Sequence, residues 1–313
     1  MVWAFASVAF ILLAAWIALQ VAISRNGPAV LDTVDRITGG ERGVNLLQTV
    51  SIGNSAFQKL AIYGDGKKDV QKPVLVFAHG GSWRAGDPDD YGFVARGLVP
   101  EGFIVVLSGY RLGEAGKFPA MLEDTAKAVA GTRANIAQYG GDPEAIFVSG
   151  HSAGAYNAAM VTLDPQWLER EGLDKKEVIA GFIGLAGPYD FYPFDSDSTK
   201  ASFGEAPEPE NTQPVNFVRG DAPPVLLLTG EQDTTVKPRN TRVLTSAITE
   251  AGGTAKAEYF PAFDHTGILT ALASPWRRDP AVIDRIAEFV RSVTAQKRAS
   301  AEQASVPVQP ETR

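Results

Sequence analysis

Gly150-His151-Ser152-Ala153-Gly154 follows the apolar, β-prone run Ala145-Ile146-Phe147-Val148 and precedes the small, helix-friendly run Ala155-Tyr156-Asn157-Ala158-Ala159-Met160. Read together, these residues are a strand, a sharp turn and a helix, with a serine at the turn. Glycines flank the serine because a side chain would collide where strand meets helix. A serine hydroxyl is a poor nucleophile unaided. It needs a base to take its proton, an acid to hold that base, and N–H groups aimed at the oxyanion formed on attack. Those partners must come from elsewhere in the chain.

Working outward, buried strands are expected at Pro73–Ala78, Phe103–Leu107, Ala145–Ser149, Val178–Leu185 and Val225–Leu228, each a continuous apolar run. Helical stretches lie between them at Asp124–Tyr139, Ala153–Leu163 and Pro238–Ala251. Thr49–Ile52 and Phe57–Tyr63 alternate apolar with polar residues around Gly53-Asn54, a hairpin pattern that opens the sheet with antiparallel strands. Strand and helix in alternation define an α/β fold with a mostly parallel, doubly wound sheet and active residues at the strand carboxyl ends.

Composition narrows the function. The chain has 313 residues, 45% of them hydrophobic and 21% charged, enough for a sizeable core. A net charge of −7 offers no basic patch, so nucleic acid is not an expected partner. Cysteine is absent, which excludes disulfides, thiolate chemistry and cysteine-ligated metal centres. Only His79, His151 and His265 are present, which argues against a histidine-rich metal site, and the serine chemistry calls for no cofactor.

Directly after the Pro73–Ala78 run comes His79-Gly80-Gly81-Ser82-Trp83-Arg84-Ala85-Gly86-Asp87, a loop of small residues where backbone N–H groups stay uncovered. The N–H groups of Gly81 and Ser82, with that of Ala153 after the nucleophile, are the candidate oxyanion donors. His79 is read as orienting the loop. Trp83 and His151, beside these groups, are read as substrate contacts.

His-Gly-Gly-Ser-Trp, Gly-His-Ser-Ala-Gly-Ala and Gly109-Tyr110-Arg111-Leu112 with Phe118-Pro119 and Asp124 are similar to motifs of α/β-hydrolase esterases of the hormone-sensitive-lipase and feruloyl-esterase-like group. Arylformamidases carry similar motifs. The resemblance spans about residues 49 to 296 and implies the α/β-hydrolase fold and serine-hydrolase machinery. The loop departs from the group's usual His-Gly-Gly-Gly at Ser82.

The acid is expected after a late strand, in the chain order Ser, then Asp or Glu, then His. Glu231, Asp233 and Asp221 all qualify by region, and the resemblance places the acid at Asp233, in a Gly-x-x-Asp-x-x-Val pattern from Gly230 to Val236. The base follows by elimination. His151 is locked beside the serine and His79 belongs to the oxyanion loop, which leaves His265, in Phe263-Asp264-His265-Thr266-Gly267.

The expectation is a serine hydrolase of carboxylic esters acting on a small-molecule ester, with Ser152, His265 and Asp233 as catalytic residues. An arylformamidase-type amidase and a tethered, non-catalytic hydrolase-fold binding protein are the alternatives. Residues 1–24 carry no charged side chain, and Val2–Ile23, at about 1.5 Å per residue, is long enough for a hydrocarbon core of roughly 30 Å. A retained membrane anchor is expected there, with a cleaved signal sequence as the rival reading and the side of the membrane left open. Residues 25–48 read as a connector, 49–296 as the catalytic domain and 297–313 as a polar, disordered tail. Gly187–Pro224, aromatic and without steady periodicity, is read as a small cap over the strand ends or a structural excursion. The oligomeric state is not legible in the sequence.

Overall fold

A computed structural model describes residues 2–40, 43–173, 178–278 and 281–305. The tail expected to be disordered from 297 to 313 is instead helical as far as Ser305, where the last helix continues past Lys297, whose Nζ donates to Glu144 O at 2.7 Å; residues 306–313 lie outside the described residues. In chain order the fold comprises α1 (Val2–Ile37), β1 (Asn45–Ser51), β2 (Lys59–Gly64), β3 (Lys72–Ala78), α2 (Gly92–Leu98), β4 (Ile104–Ser108), α3 (Ala120–Asn135), β5 (Gly141–His151), α4 (Ala153–Leu163) and α5 (Gln166–Arg170). It continues with β6 (Gly181–Leu185), α6 (Asp197–Phe203), β7 (Val225–Gly230), α7 (Arg239–Glu250), β8 (Ala255–Phe260), α8 (Gly267–Thr270) and α9 (Ala281–Ser305).

The strands form one eight-stranded sheet in the order β1-β2-β4-β3-β5-β6-β7-β8. The pairs β1–β2 and β2–β4 are antiparallel, as the hairpin reading expects, and the remaining five pairs are parallel. Alternation along each strand splits the core between the two faces. On β3, Leu75 and Phe77 join Phe93, Leu98 and Ile286 from α2 and α9. The next residue, Ala78, packs with Met121, Tyr156 and Leu244 from α3, α4 and α7. The parallel strands therefore end together at one edge, where the loops after β3, β5, β7 and β8 converge.

The amino-terminal expectations change. Among the described residues no helix is long and apolar enough to cross a membrane. The side chains of residues 2–11, half of the expected span, lie outside the described set. Beyond them Leu12, Leu13, Trp16 and Ile17 are exposed. Residues 25–37, read as connector, belong to α1, which kinks at Asn26 (φ −155°, ψ 80°), two residues before Pro28 removes a backbone donor. After the kink, α1 is fastened to the domain. Asp35 is fully buried and accepts from Arg96 Nε and Arg277 Nη2, both at 2.5 Å, and from the Ser274 N–H at 2.6 Å. Asp32 accepts from Arg96 Nη2, and Asn26 Nδ2 donates to Asp90 Oδ2 at 2.7 Å. β1 begins at Asn45, four residues ahead of the expected start, and is bulged between Leu46 and Gln48.

Candidate active site

Ser152 sits between β5 and α4 with φ 55° and ψ −121°, a conformation costing roughly 1–3 kcal/mol for a residue with a side chain. The surroundings hold it there. Its N–H donates to Leu185 O on neighbouring β6 at 2.9 Å, and its carbonyl accepts from Tyr156 N at 3.1 Å. A Cβ on Gly154 would stand 2.1 Å from Ala78 O, and one on Gly150 would stand 2.4 Å from the Gly154 carbonyl carbon. Both glycines are thus required for α4 to pass close over the end of β3.

Two loops meet this turn. Past β7, Asp233 is buried and its Oδ1 accepts from Thr235 N at 2.9 Å and Val236 N at 2.8 Å. Those bonds leave Oδ2 facing His265 Nδ1 at 2.7 Å. Past β8, His265 completes the chain with Nε2 at 2.9 Å from Ser152 Oγ. Because a carboxylate only accepts, Nδ1 carries the proton and Nε2 presents its lone pair to the serine hydroxyl. Asp264 turns away: its Oδ1 accepts from Gly267 N at 2.7 Å and Thr266 N at 3.1 Å, and the Gly267 N–H foremost holds its carboxyl below the usual range. The other acid candidates stay apart, with Glu231 exposed and Asp221 paired to Arg219 at 2.6 Å.

The loop after β3 turns through three consecutive left-handed residues, Gly81, Ser82 and Trp83. A Cβ on Gly81 would lie 2.0 Å from Ala85 O, so that position admits only glycine. Among the described residues no backbone carbonyl takes the N–H groups of Gly81 or Ser82. Ala153 opens α4, where the helix leaves its N–H free. His79 lies beneath the loop, stacked on Tyr110 with centroids 4.5 Å apart, and its Nδ1 is 2.7 Å from Gly80 O. Burial pushes its pKa down to about 4, so the ring is neutral and donates there.

Neither expected substrate contact is free. Trp83 is 3% exposed, its ring T-stacked on Tyr156 and Phe203 and its Nε1 donating to Asn157 Oδ1 at 3.1 Å. Its apolar ring pins the strained loop onto α4. His151 is also buried, and its Nε2 lies 2.9 Å from the backbone carbonyl of His265. Arg111 and Asp124, part of the quoted motifs, form a bidentate pair with bonds of 2.8 and 2.9 Å that also binds Gln58, bracing the segment after β4. The stretch from Gly187 to Pro224 packs Tyr189, Phe203 and Phe191 against the core, and its Ser196, Asp197 and Ser198 face Gly81, Ser82, Arg84 and Ala85 across a groove of about 560 Å³.

A mostly parallel sheet whose strand ends gather a serine on a strained strand-to-helix turn, a histidine and a buried aspartate, in that spatial order, is the α/β-hydrolase arrangement. The chain belongs to the BD-FAE family, whose model matches residues 60–248, more than half of its length. The matched stretch contains the loop after β3, Ser152 and Asp233 and stops before His265. Esterase LipQ of Mycobacterium tuberculosis is 30% identical over 198 residues, 58% of this chain and 46% of that protein. Kynurenine formamidase of Danio rerio is 31% identical over 159 residues, 50% of this chain and 52% of that protein. The chain thus spans about half the length of these relatives. Among solved structures, Esterase B of Lactobacillus rhamnosis superposes with a TM-score of 0.77 at 18% identity, over 92% of this chain and 97% of that one, a likeness of fold.

Proposed function

We propose that the protein hydrolyses carboxylic esters through Ser152, with His265 as base and Asp233 as its acid. One observation carries this reading: His265 bridges Ser152 Oγ at 2.9 Å and Asp233 Oδ2 at 2.7 Å through its two ring nitrogens. Ser152 Oγ attacks the ester carbonyl as its proton passes to His265 Nε2. The Asp233 carboxylate stabilises the imidazolium, and the N–H groups of Gly81, Ser82 and Ala153 receive the oxyanion. His265 then protonates the departing alcohol, and water, deprotonated by the same nitrogen, releases the acid and restores Ser152. The family membership and the esterases among the relatives support this chemistry.

A formamide is the second substrate class, favoured by the likeness to kynurenine formamidase, since the same attack cleaves a formyl amide. A non-catalytic binding role is disfavoured by the assembled geometry, which binding alone does not require. The uncharged stretch ahead of Arg25 belongs to the proposal as the membrane attachment, supported by the exposure of Leu12, Leu13, Trp16 and Ile17, and alkali-resistant, detergent-sensitive pelleting of the full chain tests it. For the chemistry, a fluorophosphonate probe should label the wild-type chain and leave Ser152→Ala unlabelled, and parallel assays on nitrophenyl esters and N-formylkynurenine rank the substrate classes. Labelling that survives Ser152→Ala refutes the proposal.

A further inference from the structure

His265 stands 113 residues beyond Ser152 and is carried by a different loop, so their 2.9 Å approach depends on whatever ties the two loops together. Asp233 holds the ring of His265 but not the main chain that carries it. That main chain is reached from the nucleophile turn itself. His151 Nε2 lies 2.9 Å from the His265 carbonyl oxygen, and the two imidazole rings sit with centroids 4.8 Å apart. A carbonyl oxygen only accepts, so Nε2 is the protonated nitrogen of His151. Burial, reinforced by the neighbouring His265, pushes the His151 pKa to about 3, which keeps the ring neutral beside an imidazole that must become cationic in each cycle. The other edge of the ring is boxed in as well: a Cβ on Gly80 would come within 3.0 Å of His151 Nδ1. One side chain therefore touches the nucleophile turn, the start of the oxyanion loop and the histidine loop.

We propose that His151 is a positioning residue, whose Nε2–H bond to the His265 carbonyl sets the histidine loop at the height from which His265 Nε2 meets Ser152 Oγ. The inference rests on the hydrolase reading above. It differs from a substrate contact in what its loss changes. A displaced base slows the attack without weakening ester binding, and misplacement by about an ångström costs up to roughly 100-fold in rate.

The test compares His151→Leu, which fills similar space without a donor, with His151→Gln, whose amide nitrogen reaches the position of the imidazole Nε2. The measurements are kcat and KM on p-nitrophenyl acetate, the rate of Ser152 phosphonylation by a fluorophosphonate, and the thermal midpoint. Expected for His151→Leu is a fall in kcat and in phosphonylation rate of about 10- to 100-fold, with KM within about threefold of wild type. His151→Gln should recover both rates to within about fivefold. If His151→Leu does not fold, His151→Asn, whose shorter amide falls short of the carbonyl, replaces it. A rise in KM at constant kcat overturns the inference in favour of substrate contact. Equal losses for Leu and Gln, or none in either, also overturn it. A wild-type chain that takes no fluorophosphonate instead refutes the hydrolase reading beneath it, so the two failures are told apart.

Discussion

Lowering the pH from about 7.5 to about 5 should remove about 2 kcal/mol of folding stability through His79 and a similar amount through His151. Both rings are buried, and their pKa values are pushed from 6.5 to about 4 and about 3 respectively, burial being the main cause in each. In the native fold they stay neutral at pH 5, whereas in the unfolded chain each binds a proton there. The contribution is therefore fully present above the unfolded value of 6.5 and is lost as the pH falls through it toward the native values. For His79 at pH 5, the unfolded form is favoured by a factor of roughly 30 through protonation, which is about 2 kcal/mol. Urea denaturation followed by tryptophan fluorescence at the two pH values reads the sum. The His151→Gln variant separates the parts, since its acid loss should be smaller than wild type by about 2 kcal/mol. An acid loss identical in the two proteins, or ring NMR titrations of His79 and His151 in the native fold with midpoints near 6.5, would refute the reasoning.

Asp233→Asn should lower kcat by about 10³- to 10⁴-fold, because an amide favours the wrong imidazole tautomer and cannot support its charge, while Glu231→Gln and Asp264→Asn stay within about tenfold; a crippled Glu231→Gln would displace Asp233 from its role. Asp35→Ala, which takes the buried carboxylate from Arg277 and leaves Arg96 with Asp32 alone, should destabilise the fold by about 3–5 kcal/mol in urea titrations, and a loss below 1 kcal/mol would show that the cluster is solvated. A chain starting at Arg25 keeps the Asn26–Asp90 and Asp35 contacts and should hydrolyse small soluble esters at close to the full-length rate, whereas one starting at Thr38 should fail to give a cooperative thermal transition. If both truncations behave alike, the helix after the kink is not part of the folding unit.

Local patterns are legible in the sequence where one short stretch carries all its own information. α4 begins and ends at the expected Ala153 and Leu163, because a run of small and apolar residues follows a glycine turn that no strand can continue through. Ser152, Asp233 and His265, singled out in that chain order, meet in space because the loops after the late strands are the ones the topology gathers at one edge. Contacts over long separations were not. Asp32 and Asp35 look in sequence like charges of a solvated connector, and only their distant partners Arg96 and Arg277 make burial tolerable. Trp83 resembles a binding surface for the same reason that it serves as a buried anchor, its large apolar ring, and no neighbouring residue distinguishes the two uses. The kink at Asn26 has a local signal in Pro28, but the continuation of the helix past it depends on α2 and could not be read there.

The seat of Asp35 also has an order in time. A ribosome adding about 5–20 residues per second delivers Arg96, 61 positions later, within seconds, but reaches Arg277, 242 positions after Asp35, only after roughly ten seconds to a minute. During that interval the carboxylate has one of its two arginines, and α1 is held by Arg96 and Asp90 without the Arg277 and Ser274 contacts. Of the described helices, α1 is therefore among the last to be locked, and the loop bearing His265 emerges shortly before Arg277. The approach of His265 to Ser152 and the closure of α1 onto the domain are thus completed nearly together.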